Sequence, residues 1–112
     1  MDFETARARL IEHLGVEIKD RKVLRVMARI PREFFVPFES RDYSYDDRPL
    51  AIGCEQTISQ PYIVALMTQS LELTGNEKVL EIGAGSGYQA AILAELVPRV
   101  ITVERLASLA VK

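Results

Sequence analysis

The 112 residues predict an α/β fold: an open, doubly wound parallel sheet preceded by an α-helical segment, with only the first part of that sheet in view. Three observations carry the prediction. Residues 78–103 read as strand, glycine loop, helix and strand, a βαβ unit whose parallel strands require a right-handed crossover. Helical patterns stand on either side of this unit, which puts helices on both faces of the sheet. The first strand, Lys-Val-Leu-Glu-Ile at residues 78–82, is largely apolar on both faces, the mark of a central strand with a neighbour on each side.

The elements follow in order. Asp2 is a cap for a first helix with Phe3, Ala6, Leu10 and Leu14 on its apolar face, and Gly15 closes it. Asp20 starts a second helix with Val23, Leu24, Met27 and Ile30 on one face, and Pro31 stops it. Residues 32–49 read as irregular, punctuated by Pro37 and Pro49. Their aromatics Phe34, Phe35 and Phe38 are expected in the core, where some could also line a peptide cleft. Pro61 opens a third helix, and Thr74-Gly75-Asn76 breaks the chain before the strand. Tyr88–Leu96 is the crossover helix and Arg99–Val103 the second strand, closed by Glu104. Residues 105–112 begin another helical pattern without a cap signal. The division expected is a helical segment with a substrate-side loop over 1–60 and the start of the sheet domain over 61–112. Because a doubly wound sheet needs about five strands or more, the chain is expected to be incomplete and to have negligible activity alone.

Composition excludes several classes. With 48% hydrophobic and 27% charged residues the chain is an ordinary globular one. Its 14 Lys and Arg against 16 Asp and Glu leave no basic field for nucleic acid. No apolar run approaches the roughly 20 residues that span a bilayer, and Met1 followed by Asp2 and Glu4 does not lead one to expect a secretion signal. One cysteine, Cys54, and one histidine, His13, are too few for a zinc site, and a reducing cytoplasm is the compartment expected. Cys54 reads as a half-buried loop thiol and His13 as a solvated residue near the end of a surface helix.

Gly83-Ala84-Gly85-Ser86-Gly87 follows a strand and opens a helix, where backbone N–H groups can approach a ligand closely. Glu104 lies 21 residues beyond Gly83, at the end of the next strand, from where a carboxylate can accept hydrogen bonds from two ribose hydroxyls. The dinucleotide spacing fails, because Tyr88 stands where its third glycine belongs. The pattern is instead Glu81-x-Gly83-x-Gly85-x-Gly87. It resembles the first motif of class I S-adenosyl-L-methionine-dependent methyltransferases, in which the acidic residue, here Glu81, steadies the loop near the cationic end of the cofactor. A ligand-free strand-to-helix turn is the bland alternative.

Upstream, Gln56-Thr57-Ile58-Ser59-Gln60-Pro61 admits two readings. It is a polar loop with Ser59 capping the helix at Pro61, or two hydroxyls and two amides converging to hold a carboxylate.

Taken with Pro31-Arg32-Glu33-Phe34-Phe35-Val36-Pro37, Tyr45-Asp46, Pro49-Leu50, Ile52-Gly53 and the glycine motif, this segment resembles the bacterial-type protein L-isoaspartyl O-methyltransferases over nearly the whole chain. The resemblance implies methyl transfer from S-adenosyl-L-methionine to the α-carboxylate of isoaspartyl residues in damaged proteins. A succinimide then forms and can reopen to normal aspartate. It implies Ser59 as the active-site residue with Thr57 beside it, and Glu81, Gly83, Ala84, Gly85, Ser86, Gly87 and Glu104 at the cofactor, without a metal. The acceptor is already ionised at neutral pH, its unperturbed pKa being about 4, so no general base is needed. The family commonly has glycine where this chain has Glu55, and a glycine there suits a positive φ. The alternative from another class is a non-catalytic nucleoside-binding module completed by another chain or by self-association through its open sheet edge.

Overall fold

The computed structural model describes residues 2–53 and 55–104. In chain order these form α1 (Phe3–Leu14), α2 (Arg21–Arg29), two 3₁₀ helices (Arg32–Phe35 and Phe38–Tyr43), β1 (Leu50–Gly53), β2 (Gln56–Ile58), α3 (Pro61–Ser70), β3 (Lys78–Ile82), α4 (Tyr88–Leu96) and β4 (Arg99–Val103). The Cys54 thiol and the helix expected over 105–112 lie outside the described residues.

The helix ends follow their caps. Asp2 Oδ1 accepts from the N–H groups of Glu4 and Thr5, and Asp20 Oδ1 from those of Lys22 and Val23. Gly15 closes α1 in the right-handed region, at φ −64°. Ile30, extended at ψ 123° ahead of Pro31, ends α2. One hydrophobic cluster joins Leu10 and Leu14 of α1, Val23, Val26 and Met27 of α2, Ile52 and Ile58 of the strands, Val64 and Ala65 of α3, and Ile92 of α4. It therefore draws on residues from both sides of position 60.

The stretch read as irregular is better ordered than expected, and its aromatics are placed differently. Phe34 and Phe38 are 68% and 78% exposed, and only Phe35 packs on the core. In a 3₁₀ helix residues i and i+3 eclipse, so Arg32 and Phe35 share the inward side and Phe34 turns out. The Arg41 guanidinium lies over both exposed rings, 5.6 Å and 5.2 Å from their centroids.

The segment expected as a polar loop is half of a hairpin. β1 pairs antiparallel with β2, Leu50 opposite Ile58 and Ala51 opposite Thr57, with a bulge before Gly53. Leu50, Ile52 and Ile58 are buried, and the residues between them face out. Glu55 sits in the turn at φ +57°, where a side chain costs on the order of 1 kcal/mol or more. Glu55→Gly is expected to stabilise the chain by about 0.5 kcal/mol, a rise of roughly 2–4 °C in melting temperature, once the looser unfolded backbone is discounted. An unchanged or lower melting temperature in calorimetry would mean that the turn is not strained.

β3 and β4 are parallel in the register Lys78↔Arg99 to Ile82↔Val103, with α4 as the crossover. Of the two neighbours expected for β3, the described residues supply one, β4, as the reading of an incomplete sheet implies. Leu80 and Ile82 are 61% and 80% exposed, and their register partners Ile101 and Val103 extend the same uncovered face. Among the described residues β3 pairs with β4 alone, and Leu80 and Ile82 border an open cavity instead of a packed layer.

Candidate functional site

The glycine loop closes the turn from β3 into α4 by left-handed steps at Gly83, Gly85 and Gly87, with φ of +84°, +56° and +88°. A Cβ at Gly83 or Gly87 would touch nothing within 4 Å, so the dihedral rather than space calls for glycine there. Four of the loop amides bond within the protein. Gly83 and Ala84 N–H both donate to the Val103 carbonyl, at 2.6 Å and 3.2 Å, and Gly87 N–H donates to the Ala84 carbonyl. Gly85 N–H donates to Glu104 Oε1 at 2.8 Å. The turn needs those bonds to stay folded, which leaves a poor cradle for phosphate. Ser86 Oγ accepts from Tyr88 N–H at 3.2 Å, a bond at the start of α4 that the sequence did not single out.

Two carboxylates flank this loop. Glu104 carries Gly85 as above. Glu81, half-buried on β3, accepts from Thr102 Oγ at 2.8 Å. Burial pushes its pKa above the ordinary glutamate value, the Thr102 hydroxyl opposes that, and the negative charge of Glu104 adds to the rise. Carboxylates held in this way favour a positively charged ligand.

A cavity of about 370 Å³ joins the two motifs. Thr57 and Ser59 line one side, and Glu81, Gly83, Ala84, Gly85 and Ser86 line the other. Gly87 and Glu104 are not among the lining residues, and Glu104 is joined to the lining through its bond from Gly85 N–H. Val64, Met67, Leu71 and Leu93 make the wall largely apolar, and among the described residues no Lys, Arg or His lines it. Gln89 and Thr68 are on the wall too, joined by a 2.7 Å bond from Gln89 Nε2 to Thr68 Oγ. Sequence reasoning passed them over, although polar residues on otherwise apolar helix faces are the signal that finds them.

Ser59 does not cap α3. Gln60 takes that position and makes no side-chain cap bond. Because Ile58 turns inward, Thr57 and Ser59 both face out. The Ser59 carbonyl is fixed from behind by Arg32 Nη2 at 2.9 Å. Next to Arg32, the Tyr45 hydroxyl accepts from Arg7 Nε at 2.8 Å and from Arg32 N–H at 2.9 Å, and donates to Glu33 Oε1. His13 is mostly exposed, 3.8 Å from Asp47. Among the described residues no three His, Cys, Asp or Glu could hold a metal ion, and no helix is long and apolar enough to cross a membrane.

Residues 5–112 match the family described as protein-L-isoaspartate(D-aspartate) O-methyltransferase. The chain is 56% identical over 112 residues to protein-L-isoaspartate O-methyltransferase 1 of Syntrophobacter fumaroxidans, which covers 98% of this chain and 52% of that protein. It is 55% identical over 114 residues to the protein-L-isoaspartate O-methyltransferase of Geobacter metallireducens, covering 100% of this chain and 53% of that one. The chain thus spans about half the length of the curated relatives it matches. Among solved structures, a protein-L-isoaspartate O-methyltransferase superposes with a TM-score of 0.77 at 30% identity, over 92% of this chain and 35% of that one. One from Plasmodium falciparum, in complex with S-adenosyl-L-homocysteine, superposes with a TM-score of 0.76 at 24% identity, over 92% of this chain and 50% of that one. The fold is the N-terminal part of the class I methyltransferase fold.

Proposed function

Because this chain belongs to the protein-L-isoaspartate(D-aspartate) O-methyltransferase family, we propose that it forms the cofactor loop and the acceptor-orienting segment for methyl transfer from S-adenosyl-L-methionine to the carboxylate of L-isoaspartyl residues in damaged proteins. The observation that supports this best is the shared cavity, with two hydroxyls facing a glycine loop and a carboxylate and no basic lining residue among those described. The cavity is of the size that takes a small-molecule ligand. Its charge and its internally satisfied loop amides suit a cationic nucleoside and not a nucleotide phosphate.

S-adenosyl-L-methionine supplies an activated methyl group when bound. Glu81, Gly83, Ala84, Gly85, Ser86, Gly87 and Glu104 would hold it, Glu104 by keeping the loop shaped and by accepting from the ribose hydroxyls, and Glu81 by its charge. Ser59, with Thr57 beside it, donates a hydrogen bond to the acceptor carboxylate and fixes its direction. The apolar wall excludes water, so orientation is held and the acceptor is not over-solvated. No proton has to be removed from an ionised carboxylate, so the site works without a base. In this reading residues 1–60 carry the acceptor side and residues 61–112 begin the cofactor domain. The compartment is the cytoplasm, and self-association through the open edge of β3 is the proposed protein contact.

Ser59→Ala in the full-length protein is expected to lower kcat/KM for an isoaspartyl peptide about 10-fold, the effect of one hydrogen bond to a charged group. Calorimetry should show S-adenosylhomocysteine binding unchanged. A variant that turns over at the wild-type rate would remove Ser59 from the reaction.

A further inference from the structure

Arg32 is 0% exposed and sits between the two halves of the site without lining the cavity. Its Nε donates to the Ser44 carbonyl at 2.7 Å and its Nη2 to the Ser59 carbonyl at 2.9 Å. The same guanidinium lies 4.8 Å from the centroid of the Tyr88 ring. Tyr88 is itself 2% exposed, and it is the first residue of α4, immediately after Gly87. One rigid plane therefore touches the backbone of the acceptor segment and the first side chain behind the glycine loop.

Among the described residues no carboxylate forms an ion pair with Arg32. Burial holds its pKa below the ordinary arginine value, against the pull of Tyr88, Tyr45 and Asp47. A buried cation without a close counter-ion is expensive, and an apolar side chain of similar volume would fill the space at lower cost. What an apolar side chain cannot do is reach two carbonyls in fixed directions while stacked on a ring. Lysine cannot do so either, having one compact ammonium in place of a planar fork.

We propose that Arg32 is a positioning residue that sets the distance and angle between Ser59 and the cofactor loop. The inference rests on the role given above to Ser59. Arg32→Lys, Tyr88→Leu and Ser59→Ala are compared in the full-length protein, assaying each well below its own melting temperature. Arg32→Lys is expected to fold, to bind S-adenosylhomocysteine within about 3-fold of wild type, and to lose about 10-fold in kcat per folded molecule. Tyr88→Leu, which removes the ring and keeps an apolar side chain, is expected to show the same split. It decides the matter if Arg32→Lys does not fold. Wild-type kcat in the folded variants, with Ser59→Ala slow, overturns the role of Arg32 alone and leaves a purely structural cation. Wild-type kcat in Ser59→Ala overturns the reading of Ser59, and with it the route by which Arg32 acts.

Discussion

Removing the Glu104 carboxylate, as Glu104→Ala, is expected to weaken S-adenosylhomocysteine binding about 100-fold in isothermal titration, which is near 2.7 kcal/mol and within reach of one or two charge-assisted hydrogen bonds. Two losses add. The Gly85 N–H loses the acceptor that holds it at 2.8 Å, so a left-handed residue in the middle of the loop is no longer tied to the end of β4. The ribose hydroxyls proposed to meet this carboxylate lose their acceptor as well. Glu104→Gln separates the two, because an amide oxygen can still accept from Gly85 N–H while the charge is gone. Its loss should be nearer 10-fold. Alanine binding within about 3-fold of wild type would show that Glu104 serves the loop alone and not the ligand.

The second large effect is on stability. Tyr45→Phe deletes a hydroxyl that accepts from Arg7 Nε and from Arg32 N–H and donates to Glu33. Arg7 and Glu33 form a 3.4 Å ion pair whose side chains are only 14% and 8% exposed, so water replaces the lost partner poorly. At about 1–3 kcal/mol for each group left unsatisfied, the cost is expected to be about 2–4 kcal/mol in urea unfolding. A loss below about 0.5 kcal/mol would show that the network relaxes around the gap.

The same hydroxyl gives an alkaline signature. Burial, with help from the Glu33 hydrogen bond, pushes the Tyr45 pKa up to about 12 from an ordinary 10.0. The folded state thus holds this proton more tightly than the unfolded chain does. The stability it contributes is complete below pH 10 and is lost as the pH rises from 10 towards 12. Tyr45→Phe should lack that part of the alkaline decline. The shared network makes Arg7, Glu33 and Tyr45 variants non-additive in stability.

What could be read from the sequence follows from periodicity. Asp2, Asp20 and Pro61 mark helix starts by chemistry that acts within one turn, and the structure has helices there. Gly83, Gly85 and Gly87 announce a turn that only positive φ allows. The hairpin was missed because β2 has three residues, too few for alternation to declare itself. Its buried residues, Leu50, Ile52 and Ile58, are split across two strands. Phe34 and Phe38 misled because apolar type alone says nothing about facing. Arg32 was invisible for the opposite reason: an arginine reads as surface until the carbonyls of Ser44 and Ser59 are brought around it. The uncovered face of Leu80 and Ile82 lies beyond any local pattern, since it depends on which strands are present to pair.

The hairpin register also limits how this region can vary in length. Ile58 is 4% exposed, and the residues on either side of it face outward, because side chains alternate along the strand. A single residue inserted or deleted in the tight turn that includes Glu55 would change that parity. Ile58 would swing into water, while Thr57 and Ser59 would be driven towards the core formed by Ile52 and Val64. Substitutions in the turn are therefore mild and indels severe. Two-residue changes, which restore the parity, should be tolerated better than one-residue changes.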